Sequence, residues 1–362
     1  MKMSHLQKFQ AALASLELDG ALISSEINQR YLCDFPFSDG YLLITPERAY
    51  LLTDSRYIEA AKESVRGFEI LLPKNTMTDT LAELISEEKI SRLVLEEESV
   101  SYSEYQRLSE KFSEAKLLSG ASKLLGELRA IKTPEELDRI ARAQEITDRA
   151  FSHILDVISN NLNTATEQDV ALELEFFMRK QGSEGAAFET IAVSGSASSR
   201  PHGVPSNVGL RKGFLTMDFG ARIDGYCSDM TRTVAIGKAD EEMKKIYATV
   251  LAAQQNALAK IRAGMLCRDA DELARSVICN AGYADAFGHS LGHGVGLLVH
   301  EAPSLSPRAK DDSILAVGNV VTVEPGIYLE GRCGCRIEDM IAITADGSIR
   351  NFTKSPKELI EI

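Results

Sequence analysis

The chain has 362 residues, of which 44% are hydrophobic and 26% charged, and carries a net charge of −13 at pH 7. These proportions describe a globular protein of about two domains and exclude a disordered, collagen-like or small disulfide-stapled chain. A field of this sign repels phosphate backbones and anionic lipid heads, so neither nucleic acid nor a membrane surface is expected as a partner, and no apolar run reaches bilayer-spanning length.

Residues 1–16 have scattered Lys and Gln, no apolar stretch and no small-residue cleavage site. They read as a surface helix, not a signal peptide. Residues 20–24, 41–45 and 49–53 read as strands, the last two joined by the turn Thr45-Pro46-Glu47-Arg48. A helix at 55–65 follows, then strand 68–72, helix 77–88, strand 92–95, helix 102–112 and strand 115–118. Alternation of this kind predicts an α/β layer domain. A break is expected near Gly126, and Thr133-Pro134-Glu135-Glu136 then spells a helix start. Thr133 is the N-cap, Pro134 occupies the first turn where no N–H is missed, and Glu136 completes a capping box. The domain boundary is placed at about residue 127, giving an α/β N-terminal domain at 1–127 and a second domain at 128–362.

The second domain reads as doubled. A long helix from Pro134 is followed by a helix from Thr166 that stops at Gly182, then by strands. A long helix from Asp240 is followed by one from Asp269 that stops at Gly282, and again by strands. Two such halves imply pseudo-twofold symmetry. The six cysteines form no framework: Cys33, Cys227, Cys267 and Cys279 are scattered, and Cys333 and Cys335 read as small residues at a tight turn. Without an export signal they are expected as reduced thiols in a cytoplasm.

Four acids lie in apolar or glycine-rich settings. Asp218 and Asp229 flank Asp224-Gly225, a hairpin signal that brings them close to cross-strand register. Glu324 and Glu338 are symmetric about Gly331, so a second hairpin turning there pairs them. Four clustered carboxylates repel when desolvated, and two divalent cations cancel their charge. Oxygen-rich ligation with one imidazole suits Mn, Co, Fe or Zn. The segment from Gly288 to His300 supplies histidines. His289 and His293 have i,i+4 spacing, but Gly292, Gly294 and Gly296 argue against a helix and are expected to let the backbone approach a substrate or metal. His5 and His153 are left as structural groups.

These residues carry a pattern. M-D-F-G-A-x-x-D-G-Y-x-S-D-x-T-R-T from Met217, G-H-x-x-G-H-G-x-G-x-x-x-H from Gly288, V-x-V-E-P-G-I-Y from Val321 and G-x-R-I-E-D from Gly334 resemble the Xaa-Pro aminopeptidase and prolidase family of pita-bread-fold metallopeptidases. Thr53-Asp54-Ser55-Arg56-Tyr57 resembles a segment of that family's N-terminal domain. The resemblance implies an α+β fold, with a pita-bread catalytic domain behind a creatinase-N-like α/β domain. It implies metal ligands Asp218, Asp229, His293, Glu324 and Glu338, with Asp229 and Glu338 bridging two metals, manganese first and Co, Zn or Fe as alternatives. Asp218 would hold one metal, and His293 and Glu324 the other. It further implies that His202, His289 and His300 contact the substrate or tetrahedral intermediate, that Glu324 moves the proton, and that Tyr328 and Arg336 line the pocket or support the ligands. The implied activity is hydrolysis of the N-terminal Xaa-Pro bond of dipeptides or short peptides, by a homodimer. Two departures stand out: residues 196–208 are rich in Ser, and with no Trp any aromatic wall must be Phe or Tyr. Three other readings fit these residues less well. A methionine-type or general aminopeptidase on this fold would typically lack the N-terminal domain. A creatinase-like hydrolase of small C–N compounds would have lost ligands, and a binding module would not keep the full set.

Overall fold

The structure is a computed structural model that describes residues 3–362. It consists of two compact units, Met1–Arg129 and Ala130–Ile362.

The first unit is built on a six-stranded mixed sheet. Its order is Glu69–Leu71, Ala49–Leu52, Tyr41–Ile44, Gly20–Ile23, Arg92–Leu95 and Lys116–Ser119. The two contacts of Tyr41–Ile44 are antiparallel and the other three parallel. Gly20–Ile23 and Ala49–Leu52 are buried throughout, as apolar runs at the middle of a covered sheet must be. The Thr45–Arg48 turn is closed by Thr45 Oγ1, which accepts from the Glu47 and Arg48 amides at 3.3 and 2.9 Å. Two helices lie outside the sequence expectation. Glu26–Cys33 is polar in composition, so its few apolar residues do not announce a helix. Ala121–Ala130 runs through Gly126, where a break was expected, so the boundary placed at 127 falls inside a helix. A helical glycine costs only about 1 kcal/mol, and Ala121, Leu125 and Arg129 bury a continuous face on either side of it.

The second unit shows the doubling. Thr133 forms a full capping box with Glu136 and starts the helix Pro134–Asn161. Thr166 caps Glu167–Lys180, and Gly182 turns the chain away at φ +102°. These helices pack Ile154, Phe151, Val170 and Leu174 against Met217, Phe219 and Val234 of a three-stranded sheet. That sheet runs Met230–Ile236, Gly213–Phe219, Ile191–Ser194. In the second half Asp240 caps Glu241–Lys260. The next helix, Cys267–Asn280, begins two residues before the expected Asp269, which sits in its first turn, and Gly282 follows at φ +89°. These two helices pack Ile246, Val250 and Ile278 against Val321 and Ile341 of a five-stranded sheet. Its order is Glu301–Leu305, Gly292–Gly294, Val320–Val323, Asp339–Ile343 and Ile349–Asn351.

A fully buried ion pair helps to tie the halves together. Arg232 Nη2 donates to Asp339 Oδ1 at 2.9 Å, with side chains 1% and 0% exposed. Arg232 also donates to the carbonyls of Thr231, Glu338, Ser355 and Pro356. Burial alone would raise the Asp339 pKa, but the charges of Arg232 and Lys357 outweigh it and hold the group below the usual carboxylate range. Removing one partner of a buried pair strands the other. Arg232→Met is therefore expected to destabilise the protein by about 3–5 kcal/mol, read from the shift of its urea unfolding curve. A shift worth less than about 1 kcal/mol would show the pair to be dispensable.

Candidate metal centre

Two hairpins and one glycine-rich segment of the second unit build the site. In the first hairpin Asp218 stands opposite Thr231 and Phe219 opposite Met230. The same register continues into a small ribbon, Arg222–Ile223 with Tyr226–Cys227, that turns at Asp224 and Gly225 with φ +48° and +84°. Positive φ at both central residues is the tight turn whose twist suits a hairpin. Asp229 thus lies two places from Asp218's partner, a diagonal neighbour and not the near-direct pair expected.

In the second hairpin, Val320–Val323 pairs with Asp339–Ile343 and Gly326–Leu329 with Cys333–Arg336. One register, centred on Gly331 at φ +68°, serves both stretches. Glu324 and Glu338 sit opposite each other in the gap between them, as their symmetry about Gly331 predicts. The ladder opens there because both amides are used elsewhere. Glu324 N–H donates to Leu291 O at 2.8 Å, and Glu338 N–H to Thr231 O at 3.1 Å. The acid pair is stitched to the histidine segment on one side and to the first hairpin on the other.

The glycines of the histidine segment have a different task from the one expected. A Cβ at Gly292 would land on Thr322 O, one at Gly294 on Ala302 O, and one at Gly296 on the Glu301 carboxylate. They admit the protein's own chain, not a substrate. Only Gly292–Gly294 of the segment is strand, with a bulge between His293 and Gly294 and no helix around it, so His289 and His293 share no helix face.

The side chains converge. His293 Nδ1–H donates to Gly294 O at 3.1 Å, which leaves Nε2 facing Glu324 Oε1 at 3.2 Å and Asp229 Oδ2 at 3.6 Å. Arg336 donates through Nη2 to Asp218 Oδ2 at 2.6 Å, through Nη1 to Tyr328 Oη at 2.6 Å and through Nε to Thr231 Oγ1 at 2.9 Å. Thr231 Oγ1–H in turn donates to Glu338 Oε2 at 2.7 Å. His289 Nδ1–H donates to Ser290 O, and its Nε2 accepts from Tyr328 O–H at 3.1 Å. Tyr328 therefore stands behind the ligands and supports them.

Burial, and then the neighbouring carboxylates, push Asp229 and Glu338 well above the usual acid range. Burial acts on Glu324 in the same sense, but the bond to and charge of His293 prevail and bring it down to about 2. His293 is raised in return, against its own burial, while burial lowers His289 and His300. Two carboxylate oxygens, Asp218 Oδ1 and Glu338 Oε1, are buried without a hydrogen-bond partner. Asp229, His293 and Glu338 each offer a donor atom within 4.8 Å of the others. Orphaned oxygens, mutually repelling acids and a single imidazole presented through Nε2 are what a divalent cation requires, so the residues fit the group.

The acids form the floor of a cleft of about 660 Å³, which His202, His289, His293, His300 and Arg336 also line. Phe188, Ile191, Val204 and Val299 supply an apolar side. His202 and His300 are exposed, with the His300 ring centroid 4.1 Å from that of His293. Other contributors were not foreseen. Thr231 and Thr322 hold Glu338 and Glu324. Arg275, paired with Asp271 one helical turn earlier, donates to the carbonyls of Phe287 and His289. The readable signals were a buried strand rich in threonine and an acid–base pair at i,i+4 on the buried face of a helix.

Residues 138–345 match metallopeptidase family M24, and residues 5–131 match the creatinase/prolidase N-terminal domain. The chain is similar to the structure of an Xaa-Pro dipeptidase from Bacillus anthracis, with 42% identity, a TM-score of 0.94 and 99% of each chain covered. It is similar to an X-Pro aminopeptidase structure from Thermotoga maritima, with 38% identity, a TM-score of 0.89 and coverage of 97% and 100%. The Xaa-Pro dipeptidase of Pyrococcus furiosus is 35% identical over 98% of this chain and 99% of its own. With its M24 domain, its preceding creatinase/prolidase domain and full-length relatives, the chain belongs to metallopeptidase family M24.

Proposed function

We propose that the protein is a dinuclear metallo-exopeptidase that hydrolyses the N-terminal Xaa-Pro bond of dipeptides and short peptides. The observation that carries the reading is the convergence of four carboxylates and one imidazole, two of the carboxylate oxygens orphaned, on the floor of one cleft. Asp218, Asp229, His293, Glu324 and Glu338 would hold two divalent cations. Manganese is the first metal to test, with cobalt, zinc and iron as alternatives. Bound cations supply Lewis acidity and water of lowered pKa.

The chain's own residues do the rest. Glu324 Oε1 is engaged by His293 and Thr322, so Oε2 is the freer oxygen to take a proton from the attacking water and return it to the departing proline nitrogen. His300 and His202, on the open side of the cleft, donate N–H groups to the oxyanion that develops on the scissile carbonyl. Arg336 and Tyr328 hold Asp218 and His289 in place. Phe188, Ile191, Val204 and Val299 give the proline ring an apolar wall. An Xaa-Pro bond offers no N–H, and this cleft recognises it by shape. The six cysteines are all free, which suits an enzyme working in the cytoplasm. The homodimer implied by the family resemblance belongs to the same reading.

Removing the metals is expected to lower the thermal midpoint. Ligand binding to the folded state at a hundredfold excess over Kd contributes about 2.7 kcal/mol, and the emptied floor regains its repulsion. Calorimetry with and without chelator checks this, and Asp229→Ala should lose both metal and activity. An unchanged midpoint, or a fully metallated and active Asp229→Ala protein, would falsify the metal assignment.

Ala-Pro is expected to be cleaved about 10- to 200-fold faster than Ala-Ala in kcat/KM, because opening the ring removes buried methylenes. Equal rates for the two dipeptides would leave a general two-metal aminopeptidase and discard the proline preference.

A further inference from the structure

Lys132 Nζ donates to Glu301 Oε1 at 2.7 Å, and the two side chains are only 1% and 5% exposed. A buried ion pair gains little stability over apolar side chains of equal size, so folding alone gives no reason for it. Its surroundings do. Glu301 follows His300 directly and stands opposite Gly294 in the sheet, closing the base of the loop 295–300. Its carboxylate fills the space where any side chain at position 296 would have to go. Gly296 O in turn accepts from the Cys227 amide at 2.8 Å, two residues before Asp229. The loop therefore rests on the Glu301 carboxylate and leans on the first acid hairpin. His300 rides at its end, against the ring of His293.

We propose that Lys132 and Glu301 are positioning residues: their buried ion pair fixes the loop 295–300, and with it the place of the His300 imidazole beside the metal centre. The proposal rests on the hydrolytic reading of the site, in which His300 is an oxyanion donor. Lys132 anchors the carboxylate from the start of the unit, where its own amide is held by Gly318 O at 2.9 Å. An anchored carboxylate cannot swing toward water, so the turn packed on it has one position.

The test is Lys132→Met/Glu301→Leu, which removes both charges, keeps the volume and is expected to fold normally. With manganese-loaded protein and Ala-Pro, kcat is expected to fall about 10- to 100-fold while KM changes by less than about threefold. In a His300→Ala background the same substitutions should cost nothing further, because both act through one imidazole. Hydrogen–deuterium exchange requires no turnover. The Val295 and Gly296 amides, bonded to Val320 O and Leu298 O, should exchange about tenfold faster in the variant with the rest of the protein unchanged. Glu301→Gln, which keeps the shape, is a second variant with the same expected directions. Wild-type kcat, full additivity with His300→Ala, or unchanged exchange over residues 294–301 would each overturn the proposal. Failure of the unsubstituted protein to cleave Ala-Pro would overturn the hydrolytic reading instead, and exchange would still decide whether the pair holds the loop.

Discussion

Like charge held out of water is the constraint around which the second unit is arranged. Asp229 and Glu338 are almost fully buried, and the carboxylates around them raise the cost of ionising each, Glu338 foremost for Asp229 and Glu324 foremost for Glu338. Left alone, such a cluster would take up protons or pull apart. The fold opposes the second outcome by bonding the two acid-bearing hairpins to each other through the Glu338 amide and the Thr231 carbonyl. It moderates the first with Arg336, a permanent cation buried among the acids and fixed by Asp218, Tyr328 and Thr231 at once. What remains uncompensated is carried by oxygens without partners, and their placement is a template for cations.

Everything around the floor serves to keep those oxygens still. Each half of the unit buries its own helices on its own sheet, so each hairpin is backed by its own core. Where they meet, the contacts are backbone amides, threonine hydroxyls and the Arg232–Asp339 and Arg336–Asp218 pairs. These are short, directional and buried, which is how a site keeps the sub-ångström placement that catalysis needs. The histidine segment joins the same frame through Thr322, whose hydroxyl accepts from the His293 amide and donates to Glu324.

Much of this frame was legible in the residues, and the unevenness has physical causes. The symmetry of Glu324 and Glu338 about Gly331 could be read because a hairpin's register is simple arithmetic once its turn is known. The capping box at Thr133 could be read because it is local. The two-place offset of Asp229 follows from the same arithmetic, because Asp224 and Gly225 are the centre of the first turn and set Thr231 opposite Asp218. The glycines were misread because glycine reports that something approaches closely, but not what. Thr231, Thr322, Asp271 and Arg275 are ordinary residues whose role exists only after folding brings their partners. The helix through Gly126 was missed because propensity at one position yielded to a buried face that spans it.

The second hairpin has a consequence for how the chain can vary in length. One register governs the ladder on both sides of the opening at Glu324 and Glu338. Adding or removing one residue within Gly326–Leu329 or within Cys333–Arg336 would turn every later side chain of that arm to the opposite face. Tyr328 would then leave His289, and Arg336 would leave Asp218. At Gly331, by contrast, nothing lies within reach of an added side chain. Insertions among descendants of this sequence should collect at that tip, while the two arms keep their lengths.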